Sequence, residues 1–347
     1  MHVLRSTFLL LALMGGFATM QAQEIHMVDS LDLDAIPAGT VQRLWVHVTE
    51  NTFAQPVLVP VMVAKGSAPG PVLGLTAAIH GDELNGIAII QKVFAQVDPQ
   101  RMQGTLIGVP GLNAVSVQLD QRRFVDDEDL NRNFPGKPNG TNSEQYNYAV
   151  FQKIMRSFNY LVDLHTASFG RINALYVRAD LNQEVLAAIA PLLDADILLD
   201  SRSATAGAAS AGHTLREEAA AHGIACITVE YGNPQVYQDD MIRRGFQSIL
   251  NMMVHLKMLD IPIAIPARPA VRCKKSYWIY VQTGGFLEVP VEPGQLLQKG
   301  DLIGIQRNPF GDIIRRYYAP EPGVVIGKST NPANSNGGRI LHLGILK

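Results

Sequence analysis

Cysteine is nearly absent: Cys226 and Cys273 are the only two in 347 residues. They form no C-x-x-C pair, so a thiolate metal centre or a redox dithiol finds no support. Export would permit a disulfide between them, but two thiols do not establish a pairing. Cys226 sits in the apolar run Ile224 to Val229 and reads as a small buried hydrophobe. A dominant charge is missing too. Lysine and arginine number 29 against 31 acidic residues, for a net charge of −2. Without a basic block or stripe, nucleic acid is not an expected partner. The apolar run near the N-terminus, Phe8 to Met14, falls short of the roughly 20 residues that span a bilayer. No segment is compositionally disordered, and no repeat or low-complexity tract stands out.

What is present begins with a leader. Arg5 supplies a positive charge, Phe8 to Met14 an apolar core, and Gly15, Gly16, Ala18 and Ala22 small residues before a cleavage site expected after Ala22. Residues 1–22 are read as a signal peptide. The mature protein is then expected to be exported, to the periplasm of a Gram-negative host or otherwise outside the cell, with no stable membrane insertion. The lack of a cysteine near the cleavage site argues against a lipoprotein.

A hydrophobic content of 47% supplies a sizeable core. Residues 41–65 alternate around Val41, Leu44, Val46 and Val48, then Val57 to Val63, as two strands joined near Asn51-Thr52. Pro71 to Ile79, Leu106 to Pro110, Leu161 to His165 and Ile224 to Glu230 are short apolar runs of buried-strand length. Helical spacing marks Glu83 to Val97, Ser143 to Phe158, Leu181 to Leu193, Gly212 to Gly223 and Met241 to Leu259. Strands alternating with helices predict an α/β fold with a mostly parallel, buried sheet over residues 23–260. A proline-rich connector is read over 261–275. From 276 to 347, short apolar stretches alternate with Gly and Pro-Gly turns, predicting a small all-β domain.

Chemistry-bearing residues gather at the ends of these strands. His80 and Glu83 follow one strand, His165 ends another, and Glu230 ends a third. In open α/β sheets that edge is where sites form. H-x-x-E alone is weak and reads equally as a turn before a helix; a lone His165 reads equally as a core histidine. Their coincidence in one layout is the signal. Two imidazoles and a carboxylate are the ligand set of a catalytic zinc that keeps a fourth position open, although cobalt or manganese would also suit the donors. Glu230 would act as the base. Arg122-Arg123-Phe124 and Asp129-Leu130-Asn131-Arg132-Asn133-Phe134 read by default as a solvated charged loop. Arginine forks and an asparagine amide there would also suit a carboxylate substrate. Arg171 and Arg178 are further pocket candidates. Asp163 reads as a structural or supporting residue, Asp82 as a candidate to orient His80, and His213, His222, His255 and His342 as ordinary surface or core histidines.

His80-Gly81-Asp82-Glu83, Asp129-Leu130-Asn131-Arg132, Asp163-Leu164-His165-Thr166 and Val229-Glu230 together resemble the succinylglutamate desuccinylase/aspartoacylase family, within the clan of zinc carboxypeptidases. The resemblance covers roughly residues 40–255 and the general turn pattern beyond. It implies a carboxypeptidase-like mixed, mostly parallel sheet flanked by helices, and one zinc per subunit on His80, Glu83 and His165. It further implies Glu230 as general base and then acid, Arg123 polarising the scissile carbonyl, and Asn131 and Arg132 holding the substrate carboxylate. Arg123 stands eight residues before Asn131, slightly wider than the family's spacing, which leaves Arg122 as the alternative. The activity implied is hydrolysis of the amide bond of an N-acyl amino acid or similar small carboxylate; ester cleavage follows the same chemistry. The partner expected is that small molecule, and a homo-oligomer is compatible with this composition. Two rivals stand beside it: an exported zinc carboxypeptidase or cell-wall peptide amidase, and a non-catalytic zinc- or ligand-binding module. The C-terminal domain and the spacing of His80 from His165 favour the first reading over the peptidase. A general base at Glu230 argues against the binder.

Overall fold

The computed structural model describes residues 25–201 and 213–347. The expected leader at 1–22 lies outside the described residues. The chain runs through β1 (His26–Val28), β2 (Thr40–Glu50), β3 (Pro56–Lys65), β4 (Ala68–Ala77), α1 (Asn85–Gln96), β5 (Gln103–Val109), α2 (Ala114–Gln118) and α3 (Asn142–Val150). It continues through β6 (Tyr160–His165), β7 (Arg171–Asn173), β8 (Tyr176–Ala179), α4 (Glu184–Ile189), β9 (Ile197–Asp200), α5 (Leu215–Ala221), β10 (Ala225–Glu230) and α6 (Asp239–His255). Strands alone follow: β11 (Val271–Tyr280), β12 (Gly285–Glu288), β13 (Leu296–Leu297), β14 (Leu302–Arg307), β15 (Ile313–Tyr318), β16 (Gly323–Ser329), β17 (Ala333–Asn334) and β18 (Arg339–Leu346).

The centre of the main sheet is the parallel set β5-β4-β6-β10. Its strands are apolar on both faces because both faces are covered. Leu73, Leu75, Val162, Leu164, Ile227 and Val229 pack against α1, α4 and α6. Leu161 and Cys226 face the other way, toward α3, α5 and the β2–β3 hairpin. The expected α/β layering is therefore present, as is the antiparallel sheet in the C-terminal part. Both cysteines are buried and free.

Three expectations shift. The helix expected over 143–158 is α3 followed by a π-helical turn, Phe151–Met155. The helix expected from Leu181 starts at Glu184, because the Asp180 carboxylate first accepts the Asn182 N–H in a turn, and Pro191 tightens its end to a 3₁₀ turn. The connector read over 261–275 is strand from Val271 onward. Val271 to Cys273 lie parallel to β9, and Cys273 to Tyr280 lie antiparallel to β18. One sheet of fourteen strands thus runs from the α/β part into the C-terminal part, beside a separate four-stranded sheet. Among the described residues no helix is long and apolar enough to cross a membrane.

Candidate metal centre and surrounding cavity

The site forms where β4, β6 and β10 end side by side. Parallel pairing sets Thr76 opposite Asp163 and Glu230 opposite His165. Beyond β4 the chain turns through Ala78, at φ 56°, and delivers His80 and Glu83 just before α1. Gly81 is needed there: a Cβ would stand 2.1 Å from the backbone carbon of Ser116 in α2.

His80, Glu83 and His165 are all buried, and one ligand atom from each lies within 4.8 Å of the others. The Nδ1 atoms of His80 and His165 lie 2.8 Å from Glu83 Oε1 and 2.8 Å from Oε2, respectively. On the far side of each ring stands a second carboxylate: Asp129 Oδ1 at 3.0 Å from His80 Nε2, and Asp163 Oδ2 at 2.8 Å from His165 Nε2. Ionised carboxylates only accept. Each ring therefore donates from Nε2 and presents Nδ1 to Glu83, where balance calls for positive charge. Two protons or one divalent cation would supply it. Imidazoles oriented by outer carboxylates, converging with one inner carboxylate, are the donor arrangement of a metal site.

The electrostatics agree. Burial alone would raise the Glu83 carboxyl, but His80 and His165 override it and hold it well below the usual range. Burial opposes charge on His165, yet Asp163 and Glu83 raise it well above an ordinary histidine. Burial likewise opposes ionisation of Asp129, and its contacts with His80 and Arg122 win, lowering it. Glu230 is raised, first by its own desolvation and further by Glu83, against the pull of His165.

Around the centre lies a cavity of about 380 Å³. Among the described residues its wall carries five arginines, Arg122, Arg132, Arg171, Arg178 and Arg216, against the carboxylates Glu83, Glu217 and Glu230. Of the residues singled out from sequence, His80, Glu83, His165, Glu230, Asn131, Arg132, Arg171 and Arg178 all line it. The Asn131 Oδ1 accepts the Leu215 N–H at 2.8 Å, and its Nδ2 donates to none of the described residues.

Arg123 does not join them. Its side chain is 55% exposed and turns away to Asp127. Arg122 enters the cavity instead, 3.3 Å from Glu83 Oε1 and 2.8 Å from Asp129 Oδ2, and donates to Ser168 Oγ. The place in the cavity expected of Arg123 is filled by Arg122, the alternative that the sequence leaves open. Asp82 does not orient His80. Its Oδ2 accepts the Phe169 N–H at 2.7 Å and its backbone carbonyl accepts from Gln235, so it ties together the loops after β6 and β10. Asp163 is the supporting residue expected, shared between His165 and Thr76.

The sequence pattern does not reveal partners supplied by distant parts of the chain. Asp129, which caps the turn at Leu130–Arg132, stands out there only as part of its motif. Asn173 and Tyr176 donate to the two oxygens of Glu230. Trp278 of β11 and His342 of β18 close one wall, stacked with ring centroids 5.0 Å apart. His342, read as an ordinary histidine, is held neutral: burial, then Arg178, Arg171 and Arg339, push it down to about 3. The alternation of Tyr176 and Arg178 along one strand was the available signal, but nothing local pairs that strand with β10.

Fold and site together define an α/β protein with a His-Glu-His group that could hold a metal ion at the carboxyl edge of a parallel sheet. The profile of the succinylglutamate desuccinylase/aspartoacylase catalytic domain matches residues 69–256, and the chain belongs to that family. It is 26% identical over 306 residues to the N-alpha-acetyl-L-2,4-diaminobutyric acid deacetylase of Halomonas elongata, covering 81% of this chain and 84% of the relative. Among solved structures, it resembles the product-bound ectoine utilization protein EutE (DoeB) of Ruegeria pomeroyi. That likeness has a TM-score of 0.79 at 20% identity, over 90% of this chain and 98% of the other. A succinylglutamate desuccinylase/aspartoacylase of Rhodobacter sphaeroides gives a TM-score of 0.80 at 20% identity, over 92% and 99%.

Proposed function

We propose that this protein is a zinc-dependent deacylase that hydrolyses the amide bond of an N-acyl amino acid or a similar small carboxylate. The observation that carries the reading is the His80–Glu83–His165 convergence with Glu230 on the adjacent strand, inside a cavity rich in arginine. The family, and a relative named for removing an acetyl group from an amino acid, support the same chemistry.

His80, Glu83 and His165 would hold the metal. When bound, zinc supplies Lewis acidity and activates water near neutral pH. Glu230 takes a proton from the attacking water and returns it to the leaving amine. Its raised affinity for protons suits it to hold one between those steps. Arg122, kept charged by Glu83 and Asp129 against the cost of burial, donates to the oxygen that gains charge as the carbonyl is attacked. Asn131 and Arg132 bind the substrate carboxylate, and Arg171 adds a second cationic contact. The cavity volume, about 380 Å³, accommodates a small acyl amino acid. Export from the cytoplasm, through a leader at 1–22, is part of the proposal.

The test is hydrolysis by purified protein on paired panels of N-acyl amino acids and short peptides, before and after chelation. Zinc-restored release of acyl groups from amino acids alone is the expected result. Release of C-terminal or cell-wall amino acids instead would transfer the protein to the peptidase branch.

A further inference from the structure

We propose that Asn173 and Tyr176 are positioning residues for Glu230, and that the C-terminal strands hold them in place through Gly327 and His342. The proposal rests on Glu230 being the base.

Both carboxylate oxygens of Glu230 are engaged. Asn173 Nδ2 donates to Oε2 at 3.0 Å, and the Tyr176 hydroxyl donates to Oε1 at 3.3 Å. Tyr176 stands directly opposite Glu230 in the β8–β10 register. One donor on each oxygen sets the carboxylate plane, and a base must be held in a narrow geometry to meet its proton.

Neither donor is held by the α/β part alone. Asn173 ends β7, a three-residue strand paired with β16 of the C-terminal part, with Asn173 opposite Gly327. A Cβ at Gly327 would fall 2.1 Å from Asn173 Oδ1 and 2.8 Å from the Ile172 carbonyl oxygen. Glycine alone leaves room for the amide where it meets Glu230. Tyr176 meets His342 edge-on, with ring centroids 6.3 Å apart. His342 in turn stacks on Trp278 and bonds Ser276 Oγ at 2.8 Å. The C-terminal part thus braces both donors, a role beyond covering the cleft.

The test compares Asn173→Ala, Gly327→Ala, their double variant and Tyr176→Phe with Glu230→Gln in the full zinc-loaded chain. Activity is read on N-acetyl amino acids and 4-nitrophenyl acetate, with zinc stoichiometry and thermal midpoint measured alongside. Expected are an inactive Glu230→Gln, and a kcat lowered about 10- to 100-fold in Asn173→Ala and Gly327→Ala. KM should stay within about twofold, zinc content should be full, and the double variant should be no worse than either single, because both act through one amide. Tyr176→Phe should give a smaller kcat loss of the same kind. If Gly327→Ala fails to fold, Asn173→Ala and Tyr176→Phe decide the matter. An inactive Glu230→Gln with kcat intact in both of those variants would overturn this proposal and leave the base assignment standing. An active Glu230→Gln would remove the base assignment, and this proposal with it.

Discussion

Arg122 and Arg123 adjoin in sequence, yet one side chain lies against Glu83 and Asp129 and the other in solvent. Truncating them separates their roles. Arg122→Ala should lower kcat about 10²–10³-fold, the usual consequence of removing a donor to a developing oxyanion, while Arg123→Ala should leave kcat/KM within about twofold. Steady-state kinetics on one N-acyl amino acid decides it; a large loss in Arg123→Ala with Arg122→Ala near wild type would return the role to Arg123. His342 allows a different test. Its folded value of about 3 lies below the ordinary 6.5, so between these values the unfolded chain binds the proton more readily. Its contribution therefore reduces stability as pH falls through that window, by about 2 kcal/mol at about pH 5. His342→Gln should flatten the acid limb of stability between about pH 6.5 and 4, read from urea midpoints.

Residues placed by their own strand were legible at this scale. His80, Glu83, His165 and Glu230 each follow an apolar run, and the carboxyl edge of a parallel sheet does the rest. Residues placed by another strand were not. Asn173 and Tyr176 acquire their meaning only from pairing with β16 and β10, and no local period encodes that pairing. The Arg122–Arg123 choice stays open in the sequence for a related reason: in an irregular loop, direction is set by partners such as Asp129 and Asp127.

Among the elements, α1 is set against the sheet with little clearance. A Cβ on Gly86 would lie 2.8 Å from Leu164 Cβ and 2.9 Å from Ala77 Cβ, neither of which can swing aside. Alanine ordinarily favours a helix over glycine by about 1 kcal/mol. Here overpacking of about 1–3 kcal/mol should outweigh it. Gly86→Ala should lower the unfolding midpoint and weaken zinc binding together, because Glu83 enters α1 two residues before the helix begins. Calorimetry with a chelator titration checks both; a stabilised variant with unchanged zinc affinity would contradict this packing account. The strand runs and the amphipathic spacing of α1 and α6 were visible in sequence. The π turn after α3 was not, since its residues keep the same apolar character as a regular helix.

Across the whole molecule, the C-terminal strands complete the sheet. Removing residues 271–347 would bare the β9 edge, withdraw the β7 partner and strip Trp278 and His342 from the cavity. Exposed edges invite association. A chain ending at 270 should aggregate and lack hydrolytic activity, with size-exclusion chromatography as the readout; a soluble, active truncation would show the two parts to be separable. The all-β character of this region was legible from its turn residues. Its continuity with the main sheet was obscured by the prolines from Pro262 to Pro269, which resemble a linker when read alone.

That continuity constrains how a substrate arrives. β11 is a single beam whose first residues belong to one part and whose remainder belongs to the other. Enzymes that close like jaws bend at a joint between their halves, and here the joint is a hydrogen-bonded strand. Opening the two halves would mean bending β11 or breaking its hydrogen bonds. Selection by size at an opening of fixed width costs such a fold less than closure around the substrate does.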